Sequence, residues 1–189
     1  VVVVKGKTVV PEEKKVYLAF NKPRGIVCTA EKREKNNVID YLSYPVRIYP
    51  VGRLDKDSEG LLLMTNDGAI VNGIMRARNR HEKEYQVEVN KEITPEFLKK
   101  MASGVPILDT VTRPCRIQKT GERSFTIILT QGLNRQIRRM CEALGYRVTK
   151  LKRVRIMNIH LKDLKTGEYR PLTEKELAEL KKQIGEEKR

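Results

Sequence analysis

Gly52-Arg53-Leu54-Asp55-Lys56-Asp57-Ser58-Glu59-Gly60-Leu61-Leu62-Leu63-Met64-Thr65-Asn66-Asp67-Gly68 is the stretch on which the reading of this chain turns. Its first half is a polar loop bracketed by glycines. Its second half is an apolar run short enough for a buried strand, closed by an Asn-Asp-Gly turn. Asp55, Asp57 and Glu59 stand at i, i+2, i+4 in the loop. A calcium loop would start this way, but its twelfth position needs a bidentate glutamate and holds Asn66. A magnesium-dependent phosphatase would use Asp55 as nucleophile and Asp57 as acid. It would want an apolar strand directly before Asp55, and Val51-Gly52-Arg53-Leu54 is a poor one. A third reading makes Asp55 a lone carboxylate nucleophile at a strand end, flanked by Arg53. A fourth makes the loop a turn in which a carboxylate accepts backbone amides. Spacing alone leaves the last three open.

Outward from this stretch the pattern is mixed. Val16 to Phe20 predicts a short buried strand, stopped by a turn at Asn21-Lys22-Pro23-Arg24-Gly25. Ala69 to Ala77 predicts a helix. Tyr85, Val87 and Val89 alternate with polar residues and predict a half-buried strand. Thr94-Pro95-Glu96 opens a helix, with a cap and a proline at its first position. Residues 107–118 and 123–130 predict strands. Thr173 with Glu176 forms a capping box for a last helix, ending near Ile184. Irregular alternation of strands and helices predicts an α+β fold: a mixed, mainly antiparallel sheet with flanking helices.

Residues 132–155 carry eight basic side chains, Arg135, Arg138, Arg139, Arg147, Lys150, Lys152, Arg153 and Arg155, against the single acid Glu142. Ile137, Met140, Cys141 and Leu144 fall at the spacing of one helix face and are expected in the core. Asn134 is the expected cap, and the arginines are expected on the opposite face, suited to phosphates. The whole chain of 189 residues has 39 Lys and Arg against 24 Asp and Glu, a formal charge of +15. That excess points to a polyanion, and nucleic acid is the commonest. No apolar run approaches the ~18 residues of a membrane span, and no secretory signal is visible. Cys28, Cys115 and Cys141 are odd in number and far apart, as in reduced, cytoplasmic proteins. Two histidines and no Cys-x-x-Cys pair argue against a zinc site, and no metal is expected.

Residues 52–68 closely resemble the catalytic signature of RNA pseudouridine synthases, in the RsuA-like family that modifies ribosomal RNA. Asn21-Lys22-Pro23-Arg24-Gly25, Lys83-Glu84-Tyr85, residues 132–140 and Leu144-Gly145-Tyr146 agree with it, in family order. Leu133 in the helix motif, with Cys141 after Met140, looks most like the large-subunit, RluF-type branch. The resemblance implies an aspartate nucleophile at Asp55. It implies a stacking and proton-transfer tyrosine at Tyr85, and a carboxylate-pairing arginine at Arg138. Arg53 would fill the space left by a flipped nucleotide, and Leu61 and Ile137 would line the pocket. Arg135, Arg139, Lys150, Arg153 and Arg155 are the expected RNA contacts.

The reaction so implied detaches uracil from its sugar at N1 and rejoins it through C5. It involves no redox step and no net hydrolysis, so no cofactor is expected. The expected partner is ribosomal RNA, 23S ahead of 16S, with transfer RNA left open; the protein is expected to be a monomer. Residues 1–10 stand where the last hairpin of an S4-like RNA-binding domain would lie. Residues 11–15 would be a linker, 16–184 the catalytic domain and 185–189 a charged tail. The alternative is a non-catalytic RNA-binding or ribosome-assembly protein that keeps the fold. The carboxylate of Asp55 in a basic cleft argues against it.

Overall fold

The apolar run at 61–64 is continuous because its strand is covered on both faces, as in buried central strands. Leu61 and Leu63 belong to one core, while Leu62 and Met64 belong to another. The computed structural model describes strands 2–4 and 7–9 and residues 14–186. The chain order is β1 (Val2–Val4), β2 (Lys7–Val9), β3 (Tyr17–Lys22), α1 (Val38–Leu42), β4 (Tyr49–Val51), β5 (Glu59–Thr65), α2 (Gly68–Arg76), β6 (Lys83–Val89) and α3 (Pro95–Ser103). It continues with β7 (Pro106–Ile107), β8 (Thr110–Val111), β9 (Arg116–Gly121), β10 (Ser124–Leu129), α4 (Gln136–Ala143), β11 (Val148–Ile156), β12 (Ile159–His160), β13 (Tyr169–Pro171) and α5 (Glu174–Glu186).

The main sheet runs β13-β3-β5-β11-β6-β10-β9, with β12 on β11 and β4 on β5. All its pairings are antiparallel except β5 with β11, where Glu59 faces Lys152 and Gly60 faces Arg153. The fold is therefore α+β with a mainly antiparallel sheet, as the sequence predicts. α3 and α4 cover one core with Phe97, Met101, Ile137 and Met140 over Val87, Phe125 and Ile127. α2 and α5 cover a second with Ile70, Leu180 and Ile184 over Leu61, Leu63 and Ile159. α1 and the loops beside it close a third, over Leu18, Phe20, Leu62 and Met64.

Gly60 is the position that demands glycine. It sits at φ +108°, and a Cβ there would lie 2.2 Å from the Arg153 carbonyl oxygen. The parallel seam between β5 and β11 closes only because no side chain intervenes.

Three local expectations are corrected. Residues 107–118 do not form one strand: Leu108 and Asp109, at φ 45° and 61°, close a tight β7–β8 hairpin. Consecutive left-handed residues suit such a turn and break an extended run. β3 continues through Asn21 and Lys22, where a turn was expected. The last helix runs to Glu186, so residues 185 and 186 are not tail. β1 and β2 pair antiparallel, Val2 opposite Val9. The glycine turn expected between them, residues 11–13 of the expected linker and residues 187–189 of the tail lie outside the described residues.

Candidate active site

The loop between β4 and β5 is fixed by its main chain. Leu54 is buried in the third core and anchors its start. Ser58 N donates to Asp55 O at 3.0 Å, and Gly25 N donates to Lys56 O at 2.7 Å. Three buried cations then take up its carbonyls. Lys22 Nζ donates to Ser58 O at 2.8 Å and Lys56 O at 3.5 Å. Arg138 Nη2 donates to Asp57 O at 3.0 Å and to Ser58 Oγ at 3.1 Å. Arg153 Nε donates to Leu61 O at 2.9 Å, and its Nη1 to Arg53 O at 3.5 Å. Burial lowers the Lys22 ammonium to about 8, against the pull of Cys28, Asp55, Asp57 and Glu59. The alternate acids of the loop are thus counter-charges to the cations beneath it. Neither Lys22 nor this clamp was legible as such, since only the fold brings residues 22, 138 and 153 together.

Arg135 precedes α4 with φ 48°, and no side chain caps the helix there. The expected cap, Asn134, instead accepts from Arg139: its carbonyl oxygen from Nε at 3.0 Å and its Oδ1 from Nη2 at 2.9 Å. The left-handed turn at a non-glycine residue stores strain. It points the Arg135 guanidinium back at the loop. Both arms meet the Asp57 carboxylate, at 3.0 and 2.8 Å, and Nη1 lies 3.4 Å from Asp55 Oδ2. The Arg135 fork holds the Asp57 carboxyl below its usual range, against the opposing effect of burial. Arg138 was expected to pair with the catalytic carboxylate. Its Nη1 lies 3.6 Å from Asp57 Oδ2, while the contact to Asp55 is made by Arg135. Arg138 is also buried, at 8% exposure, not on a solvent face. Asp57 is no idle turn acid, because it joins both arginines.

A cavity of about 470 Å³ opens beside Asp55. That size suits a small ligand such as a nucleoside. Arg53, Asp55, Tyr85, Arg135, Ile137 and Arg153 line it, with apolar side chains behind. The sheet register brings Tyr85 there: it faces Arg153 on one side and Ile127 on the other, and Arg153 faces Gly60. Ile137 stands where the sequence placed it. Leu61 does not line the cavity. Its side chain is wholly buried in the second core, whose members Val51, Ile74, Ile156 and Met157 reach the cavity wall instead.

The remaining basic candidates divide. Arg53 is exposed at the cavity, and Lys150 is exposed, 3.8 Å from Glu59. Arg153 is buried beneath the loop at 6% exposure. Arg155 pairs with Glu84 at 3.2 Å and Glu82 at 3.1 Å and donates to Met157 O, so its donors are turned to the protein itself. Lys83, which the sequence offers only as part of a motif, lines the cavity. The calcium reading fails on geometry: Asn66 accepts from Val16 N and donates to Lys14 O, tying β3 to β5. Among the described residues no group of three or more acidic, histidine or cysteine side chains is placed to hold a metal. The three cysteines are free thiols, and burial pushes Cys141 up to about 12.

The mainly antiparallel α+β sheet thus brings a carboxylate and several cations to one cavity of nucleoside size. The profile of the RNA pseudouridylate synthase family matches residues 16–143, and the chain belongs to that family. It is 54% identical, over 97% of its length, to the dual-specificity RNA pseudouridine synthase RluF of Salmonella typhi. It is 36% identical, over 91% of its length and 74% of the relative's, to the ribosomal large subunit pseudouridine synthase B of Bacillus subtilis. A crystal structure of a pseudouridylate synthase superposes with a TM-score of 0.81 at 30% identity, over 89% of this chain and 75% of that one. The chain spans 64% of the length of the RluF proteins it matches. No described helix is long and apolar enough to cross a membrane.

Proposed function

We propose that the chain converts uridine to pseudouridine in ribosomal RNA, with Asp55 as the nucleophile. The observation that carries this is one cavity lined by Asp55 at one wall and Tyr85 at another, in a chain of the pseudouridylate synthase family. The target base leaves its stack, at a cost of a few kcal/mol. Stacking on Tyr85 returns about 1–3 kcal/mol of that cost. Asp55 then acts at the uracil or at its sugar, and the detached base turns and rejoins through C5. The apolar walls keep water from the detached base. Arg135 holds the carboxylate of Asp55 in place. Arg138, Lys22 and Arg153 hold the loop that carries it, so the nucleophile is positioned before RNA arrives.

The substrate we favour is 23S ribosomal RNA, since the RluF relatives are the more similar ones and a large-subunit enzyme follows them. Those relatives are named for dual specificity, which keeps a second RNA class, transfer RNA, in the test. We place the reaction in the cytoplasm and assign it to a monomer. The test is tritium release from RNA carrying 5-³H-uridine, with EDTA present, on 23S, 16S and transfer RNA transcripts. Release fastest from 23S RNA is expected. Salt-sensitive binding without release from any transcript would overturn the enzymatic reading.

A further inference from the structure

A second group of cations, two lining the same cavity and a third beside them, takes no part in holding Asp55. From the end of α2 to the start of β6 the chain reads Arg76-Ala77-Arg78-Asn79-Arg80-His81-Glu82-Lys83, and Arg78 and Lys83 line the cavity. Arg113 joins them from the segment between β8 and β9. Its Nη1 donates to Asn79 O at 2.6 Å, and its backbone N donates to Gln131 Oε1 at 3.0 Å. Gly132 N donates to Asn79 Oδ1 at 3.2 Å, so the turn, Arg113 and the approach to α4 form one wall.

The bonding partners on this wall are unusual for three cations. Lys83 Nζ donates to Arg78 O at 2.6 Å, Arg78 Nη1 to Met75 O at 3.1 Å and Arg113 to Asn79 O. Among the described residues no carboxylate pairs with any of the three. The nearby acid, Glu82, is engaged by Arg116 and Arg155. Burial, then the charges of Arg153, Arg78 and Arg113, lower the Lys83 ammonium to about 8. Like charges gathered with no carboxylate paired to them are relieved by an anion that binds among them.

We propose that Arg78, Lys83 and Arg113 form a phosphate subsite on the β6 wall of the cavity, which holds a backbone phosphodiester next to the nucleotide whose base enters. This rests on the reading of the chain as an RNA-modifying enzyme. It separates two tasks within one cavity: cations under the loop position the carboxylate, and cations along β6 hold the strand. Arg78 and Arg113 are exposed, as a phosphate contact requires.

The experiment uses a stem-loop cut from the transcript that the protein converts. Single methylphosphonates replace, in turn, the phosphates flanking the target uridine. Affinity is measured against salt for the wild-type protein and for Arg78→Gln, Arg113→Gln, Arg113→Lys and Lys83→Met. In the wild type, one methylphosphonate position weakens binding. In the glutamine and methionine variants that position no longer matters, and the slope of log affinity against log salt falls by about 0.7 for each phosphate no longer held. Arg113→Lys keeps the slope and the sensitivity. Wild-type conversion, with equal methylphosphonate penalties and slopes in all proteins, overturns the subsite alone. Absence of conversion by the wild-type protein overturns the enzymatic reading, and the subsite with it.

Discussion

Gly60→Ala is the perturbation whose consequences the structure fixes most closely. The new Cβ would stand 2.2 Å from Arg153 O and 2.7 Å from Arg153 N, where ordinary contact begins at 3.4 Å. Both obstacles are main chain, so no side chain can swing away. β11 must withdraw from β5 by about 1.2 Å on these distances. The residue would also sit at φ +108°, a conformation that costs a non-glycine residue about 1–3 kcal/mol. Withdrawal stretches the 2.9 Å bond from Arg153 Nε to Leu61 O, and a buried charged donor left short of its acceptor costs about 1–3 kcal/mol. Overpacking adds about 1–3 kcal/mol. The sum is about 3–9 kcal/mol, a large part of the ~5–15 kcal/mol that holds a folded domain. Urea unfolding followed by circular dichroism measures it, and tritium release reads the same variant's turnover. A destabilisation below about 1 kcal/mol with full turnover would refute the claim that the seam needs a bare backbone at this position.

Tyr85→Phe keeps a ring in the cavity and removes the hydroxyl. Single-turnover rates should fall by about 10² or more if the hydroxyl moves a proton, with RNA affinity little changed. Arg155→Ala should leave the salt slope of RNA binding unaltered, since Arg155 is engaged by Glu82 and Glu84, while Arg135→Ala should lower the rate constant through Asp55; filter binding across a salt series and rapid quench separate the two. Glu176 is held at about 2 by the Arg170 fork. Its folded value lies below the unfolded one, so its contribution is full above pH 4.5 and fades as pH falls toward 2. Glu176→Gln should cost about 1–3 kcal/mol at neutral pH and flatten that acid limb in thermal melts.

Much of the scaffold was legible because local chemistry decides it. Thr173 and Glu176 form their reciprocal capping bonds, at 3.1 and 2.9 Å. Thr94 caps α3 with Pro95 at its start, as its residue types require. The core face of α4 follows from spacing alone, with Ile137, Met140 and Cys141 all buried. What failed depended on which element covers which face. Leu61 and Leu62 look alike in sequence, and the twofold alternation of β5 sends them to different cores. Arg135, Arg138 and Arg155 look alike as well. The left-handed turn at Arg135, the loop carbonyl that the buried Arg138 takes up and the two glutamates beside Arg155 set their separate tasks. The pairing of Lys22 with a carbonyl 36 residues away has no local signal at all.

The most direct test of the central claim is single-turnover tritium release by Asp55→Asn. The substitution keeps the size of the side chain and removes the charge that faces Arg135 at 3.4 Å. Abolished release, with stability and RNA affinity close to wild type, is the predicted result. Release at a rate near wild type would contradict the account and place the nucleophile elsewhere in the cavity.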